Sequence, residues 1–201
     1  MNPTRTPEPG RRRGHRLGHR PGHPLGRRGN ASIELALVLP VLVLLVTASA
    51  DLMLWMRAWF RVERVASEVA TVASQYTTIT AGDITTLFNA GQQVAGTIDV
   101  TNSLGGQVIS LISNGGTGNR VTWQRTVGGY ASRIGAAGGV ASLPASFTVP
   151  LGQTVLVTEA FTRRDAWVFS LKLMAGQTNR NLLYSYAVVR PRAAQLSTPP
   201  A

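Results

Sequence analysis

A glycine and a glutamate five positions apart, Gly29 and Glu34, lie where a basic segment gives way to an apolar one. A carboxylate near the lipid boundary is costly without a cationic partner. Cleavage after Gly29 would create such a partner, an α-amino group on Asn30, which could form a hydrogen-bonded ion pair with Glu34 of a neighbouring subunit in a low dielectric. These residues predict a processing site at Gly29 and Asn30 followed by a subunit-interaction site at Glu34. A second role for Glu34 is structural, because an acid in the first turn of a helix stabilises the helix dipole by about 0.3–1 kcal/mol.

The residue types that catalysis and metal binding usually need are scarce after Gly29. The chain has no cysteine, and its three histidines, His15, His19 and His23, all precede Gly29. Most acids after Gly29 are isolated in sequence and Lys172 is the only lysine, so sequence spacing shows no catalytic triad, nucleophile motif or metal-ligand cluster. We therefore expect a protein that is not an enzyme and has no cofactor and no metal site.

Residues 1–29 form a low-complexity leader rich in glycine, proline and arginine, which cannot build a core. The leader holds eight arginines and one acid, so most of the net charge of +11 lies there. It fits a nucleic-acid-binding arm, a histidine-rich metal tract or a cytoplasmic flank that orients a membrane segment. The last is favoured, and a nucleic-acid partner is not expected, because no aromatic side chain could stack on bases and a flexible tract fixes no ligand geometry.

An apolar segment follows at residues 31–56, interrupted only by Glu34 and Asp51. As a helix it would be about 39 Å long, whereas a bilayer core needs about 20 residues. Arginines crowd its N-terminal side more densely than its C-terminal side, so the positive-inside rule predicts a cytoplasmic N-terminus. The sequence thus predicts a single-pass membrane protein with an extracytoplasmic C-terminal part.

The tripeptide Ala48–Ala50 offers an alternative, because signal peptides end in small residues of this kind. Cleavage after Ala50 would release a secreted soluble domain. The helical pattern continues through this site into Leu52–Met56, and Glu34 interrupts the apolar segment near its start. The membrane anchor is therefore the favoured interpretation.

Three residues mark the far end of the predicted anchor. Asp51 could reach interfacial water, pair with Arg57 or bind a partner subunit, and the solvated position is favoured because side chains near a helix end snorkel. It is a secondary candidate for subunit interaction. Trp55 and Trp59 fit the membrane interface and ordinary helix packing equally well.

The remaining chain predicts a small α+β domain. The long helix should continue to Tyr76, with a kink near Pro40 and an apolar stripe that includes Val62, Val65, Ala66, Val69, Val72 and Ala73. A shorter helix is predicted at 83–95 and a surface loop, mobile and rich in glycine, at 128–139. Four strands are predicted, at 107–113, 120–127, 154–162 and 182–189. This gives a leader at 1–29, a long helix at 30–76 with a transmembrane part at about 31–56, and an extracytoplasmic domain at 77–201.

The leader, Gly29, the glutamate at mature position five and the apolar helix together resemble a type IV prepilin. The string Ile33–Pro40 followed by Asp51 is similar to TadE-like pseudopilins of the tight-adherence pilus system. Further strings resemble that family: Val121–Arg125, Leu143-Pro144, Gly152–Glu159 and Ala187–Arg192.

The resemblance implies a pilin-like fold, in which a long N-terminal helix packs on a small antiparallel sheet. It implies processing by a membrane-embedded prepilin peptidase and anchoring in the inner membrane. The expected function is that of a minor pseudopilin or assembly component of the tight-adherence (Flp) pilus, with a part in cell adhesion and biofilm formation. The expected partners are other pilins or pseudopilins and the pilus assembly machinery.

Overall fold

The computed structural model describes residues 28–164, residues 181–192 and residue 196. The leader up to residue 27 and the segment 165–180 therefore lie outside the described residues. The elements in chain order are helix α1 (Arg28–Ala73), helix α2 (Ala81–Ala95) and strands β1 (Gly105–Asn114), β2 (Asn119–Gly128), β3 (Thr154–Arg163) and β4 (Leu182–Val189). The chain divides into two compact units, residues 1–43 and residues 44–201.

The four strands form one antiparallel sheet in the order β2-β1-β3-β4. All four were predicted from the sequence, and the α+β class is confirmed. β1 and β2 are joined by a hairpin, with Asn114 opposite Asn119. β1 and β3 are the central strands, and both are buried along nearly their whole length.

Helix α1 is 46 residues long, about 69 Å, and includes Pro40. It ends at Ala73 rather than at Tyr76 as predicted. Its apolar stripe packs in the core as expected, except for Val72, which is 45% exposed at the margin of the buried face. Ala70, which was not predicted as part of the stripe, is fully buried. On the opposite face, Arg64 Nε and Glu68 Oε1 form the i,i+4 ion pair that the spacing favours, at 2.5 Å.

Helix α2 begins two residues earlier than predicted because Thr80 caps it. The Thr80 hydroxyl accepts a hydrogen bond from the Asp83 backbone N–H (3.2 Å), and Asp83 Oδ2 accepts one from the Thr80 backbone N–H (2.9 Å). The Thr80 backbone N–H and the Thr80 hydroxyl both donate to Asp83 Oδ2, and these two bonds lower the pKa of Asp83. The helix ends at Gly96, whose φ of +67° favours glycine.

Two apolar clusters cover opposite faces of the sheet, because successive side chains of a strand point to opposite sides. One lies under the helices and joins Val65, Leu87, Ile109, Trp123 and Leu156. The other lies under the chain between β2 and β3, and its members are Ile112, Val121, Ile134, Ala141, Leu143, Val149, Val155 and Val157. The sheet therefore positions both the helices and the connecting segment.

The segment 128–139 lies largely on the surface, as predicted, but it is attached to the sheet. Ile134 is 3% exposed in the second apolar cluster. Val121 and the glycines at 138 and 139 exchange backbone hydrogen bonds along the edge of β2, at 2.8 and 3.0 Å. The positive φ angles of Gly135 and Gly138 allow the backbone to turn back onto the sheet, and the predicted mobility of the loop stays a prediction.

Candidate functional site

The predicted processing site lies at the very start of helix α1. The helix begins at Arg28, so Gly29 and Asn30 both lie in its first turn. Terminal turns of helices fray readily. The bond between Gly29 and Asn30 therefore lies in the terminal turn of the described helix.

Glu34 lies on the exposed surface of α1, four residues after Asn30. Residues four apart share one face of a helix, so the carboxylate lies on the side of the helix that Asn30 occupies. The first turn of α1 contains no acidic residue. Because the dipole effect falls off beyond that turn, the alternative role of Glu34 in stabilising the helix dipole is not supported.

The surface around Glu34 is apolar and unburied. Every residue of 31–46 is exposed, including Leu37, Leu42 and Leu45. The most apolar 18-residue window of this helix has a mean hydropathy of 2.4 and none of it is buried. Soluble monomers rarely expose a contiguous apolar surface of this extent. By length and composition α1 fits a single-pass membrane anchor, with Glu34 on the anchor's own surface.

Trp55 and Trp59 differ in burial, which the sequence did not decide. Trp55 is half-buried and packs against the core under the helices, whereas Trp59 is 47% exposed. Their rings contact edge to face, with centroids 5.2 Å apart. Asp51 lies one turn before Trp55 and is half-buried. Trp55 therefore packs the C-terminal end of the apolar segment against the core, whereas the indole ring of Trp59 remains exposed on the helix surface.

A family model described as TadE-like protein matches residues 29–71. The chain carries a TadE-like segment. The predicted resemblance is thereby confirmed along helix α1, from Gly29 almost to the helix end. The strings after residue 71 that also resemble the family lie outside the match, and that part of the resemblance stays a prediction. Comparison with curated proteins and with solved structures gave no match.

One polar cluster escaped sequence reasoning, which treated the acids as isolated. Glu159 on β3 is 1% exposed, and its carboxylate accepts hydrogen bonds from the Ser132 hydroxyl, the Arg133 backbone N–H (2.9 Å) and the Tyr184 hydroxyl (3.0 Å). Arg133 lies over the Tyr184 ring at 4.5 Å. The available signal was an acid within the apolar string 155–161, which alternation places inside the domain.

This cluster is a structural one. Within the described part of the chain, the bonds from Ser132 and Arg133 attach the segment after β2 to the centre of the sheet, and the bond from Tyr184 comes from β4. Burial, followed by the charge of Glu159, raises the pKa of Tyr184, so its hydroxyl stays protonated and keeps donating. Among the described residues there is no group of three metal-ligating side chains.

Proposed function

We propose that this chain is a minor pseudopilin or assembly component of the tight-adherence (Flp) pilus. The observation that carries the proposal is a coincidence of two independent features. The match to the TadE-like family covers residues 29–71, and the same helix exposes an apolar surface long enough to cross a membrane. The family match supports a role in pilus assembly, and the exposed apolar surface supports an anchor.

The proposed organisation has three parts: a cytoplasmic leader at 1–29, an inner-membrane anchor at about 31–56 within helix α1, and an extracytoplasmic domain at 77–201. The arginine-rich leader supports this orientation through the positive-inside rule. The extracytoplasmic domain would contact other pilins or pseudopilins and the assembly machinery. We propose no catalytic role, and we place the protein's contribution in surface adhesion and biofilm formation.

Processing by a prepilin peptidase after Gly29 is part of the proposal. It would remove the basic leader and give Asn30 an α-amino group. Glu34 lies exposed on the apolar surface, where an uncompensated carboxylate is costly. Pairing with the amine of a neighbouring subunit would remove that cost and set the axial position of one helix against the next. Asp51 is a secondary candidate for such contacts.

A chromosomal deletion tests the pilus role. We expect the deletion strain to lose pili and surface attachment, and we expect the intact gene, supplied in trans, to restore both. Normal pili and normal attachment in the deletion strain would overturn the proposed function.

The mature N-terminus tests the anchor and its processing together. Mass spectrometry of protein purified from membranes should find a chain that begins at Asn30. A chain that begins at Asp51 would indicate signal-peptide cleavage after Ala50 and a secreted domain. The continuous helix through Ala50 speaks against that cut, because it would divide α1 in two.

A further inference from the structure

Three arginines line one small cavity beside helix α1. Arg57 and Arg61 come from α1 and Arg164 follows the end of β3, and the cavity has a volume of about 270 Å³. Thr97 and Ile98, after helix α2, complete one wall, and none of the described residues that line the cavity is acidic. Space of this size holds several waters or one tetrahedral anion.

The fold holds Arg61 in place at the C-terminal end of helix α2. Its Nη1 donates to the Ala95 carbonyl oxygen (3.3 Å) and to Thr97 Oγ1 (3.2 Å). A cation at a helix C-terminus is favourable because the last carbonyls carry partial negative charge. A guanidinium group has five N–H donors on three nitrogens, and these bonds use one nitrogen. Arg61 is therefore fixed in direction and keeps donors for a ligand.

Arg164 reaches the same cavity because β3 runs along α1 towards the helix N-terminus. The Thr158 hydroxyl on β3 donates to the Ala66 carbonyl oxygen, and six residues later Arg164 lines the same cavity as Arg57. The Arg164 backbone N–H donates to the Asn181 carbonyl oxygen (2.9 Å), which fixes the chain at this point. Like charges brought together by rigid elements repel one another, and an anion between them relieves that repulsion.

The cavity lies at the level of α1 where the apolar segment ends. Arg57 stands between Trp55 and Trp59 in sequence, and Trp59 and Phe60, which follow Ala58, are exposed. Tryptophan is enriched at the headgroup level of membranes, where the phosphates of phospholipids also lie. Arginine binds phosphate oxygens through parallel N–H donors, which gives stronger contacts than a point charge.

We propose that this arginine cavity binds the phosphate of an anionic phospholipid headgroup. The proposal rests on the membrane anchoring proposed above. The bound headgroup joins α1, through Arg57 and Arg61, to the end of the sheet, through Arg164. The lipid thereby holds the folded domain against the membrane surface at the point where the anchor emerges.

The test uses the full chain reconstituted in vesicles of phosphatidylcholine, with and without added phosphatidylglycerol. Vesicle flotation reports anchoring, and the thermal unfolding midpoint reports lipid binding. We expect phosphatidylglycerol to raise the midpoint of the wild type and the double variant Arg57→Gln/Arg164→Gln to lose most of that rise while still floating. Arg61 is left intact because it also caps α2. The matched control is Arg190→Gln, an exposed arginine after β4, which should keep the rise.

Three results would overturn the proposal, and they are distinguishable. If phosphatidylglycerol raised the unfolding midpoint equally in the double variant and the wild type, the arginine cavity would not be the lipid site. The proposed membrane anchor would be unaffected by that result. An equal rise when inorganic phosphate is added to phosphatidylcholine vesicles would assign the cavity to a free anion rather than to a lipid. A wild-type chain that does not float would overturn the membrane anchoring, and with it the proposed pseudopilin role.

Discussion

Gly29 is the residue on which the proposed processing depends. A side chain at this position would place a Cβ where a peptidase approaches the backbone closely, so Gly29→Val should leave the leader attached. Gel mobility and mass spectrometry of the membrane fraction would show the precursor. Gly26→Val makes the same change within the leader and should be processed normally. A mature N-terminus at Asn30 in the Gly29→Val protein would contradict the assignment.

Glu34 has a separate role, which acts after cleavage. Glu34→Ala removes the carboxylate that is proposed to meet the Asn30 amine of a neighbouring subunit, so processing should persist while co-purification with partner pseudopilins falls. Glu63→Ala removes an exposed acid of the same helix beyond the apolar segment and serves as the control. Equal recovery of partners with both variants would show that Glu34 takes no part in association.

Tyr184 links stability to pH through its bond to buried Glu159. Burial and the carboxylate raise the pKa of Tyr184, so the folded state keeps the phenol proton above about pH 10, where the unfolded state releases it. Stability should therefore fall as pH rises beyond that value. Urea unfolding of the detergent-solubilised chain should show a shallower alkaline loss for Tyr184→Phe than for the wild type. Parallel losses in the two proteins would mean that Tyr184 makes no pH-dependent contribution.

At the scale of elements, helix α2 depends on its N-terminal cap. Thr80→Ala removes the hydroxyl that accepts the Asp83 N–H, and losing such a cap costs about 0.5–2 kcal/mol. Thr85→Ala changes an exposed threonine inside the same helix. It should lower the free energy of unfolding by less, because alanine favours helix. Urea unfolding midpoints compare the two variants, and an equal cost would show that the cap does not stabilise the helix.

The same cap makes a contribution to the free energy of unfolding that depends on pH in the acid range. The Thr80 bonds lower the pKa of Asp83, so this stabilisation is present above the unfolded pKa of about 4 and is lost as pH falls through the lower folded value. Unfolding measured from pH 5 downwards should show a smaller acid loss of stability in Asp83→Asn than in the wild type, because the amide cannot take up a proton in this pH range. An unchanged acid loss would place the sensitivity at another carboxylate.

Local sequence patterns predicted most of the helices and strands, because the spacing of apolar residues and the bounding glycines lie within each element. Strand β4 was predicted at its observed bounds, and helix α2 was found from its apolar spacing and its terminal glycine. The end of α1 was missed by three residues, because Tyr76 continues the apolar pattern after the helical hydrogen bonds have stopped. Burial of Tyr76 does not require it to be helical.

The features that could not be predicted from the sequence are contacts between residues that lie far apart in the chain. Glu159 receives its hydrogen bonds from two other segments, and Arg164 lines the same cavity as Arg57 because β3 runs back along α1. The burial of Ile134 likewise depends on a sheet face that local spacing does not describe. Periodicity indicates which face of an element is buried, but pairing between elements decides which side chains meet.

For the whole molecule, the testable consequence is its orientation in the membrane. Reporter fusions near each end address it, because arginine density is proposed to keep the leader in the cytoplasm. Alkaline phosphatase fused after Thr198 should be active and the same enzyme fused after Gly10 should be inactive. Green fluorescent protein at both sites gives the complementary readout. The opposite activities would reverse the proposed topology.

The core closes only when the last part of the chain is in place. Helix α1 is made first, yet its buried face packs against a sheet whose final strand ends at Val189, and the Arg192 N–H bonds back to the Ser74 carbonyl oxygen. Contacts of such long sequence separation form slowly. A chain that stops before β4 lacks Leu183 and Leu196, so it leaves part of this apolar core open to proteases and chaperones.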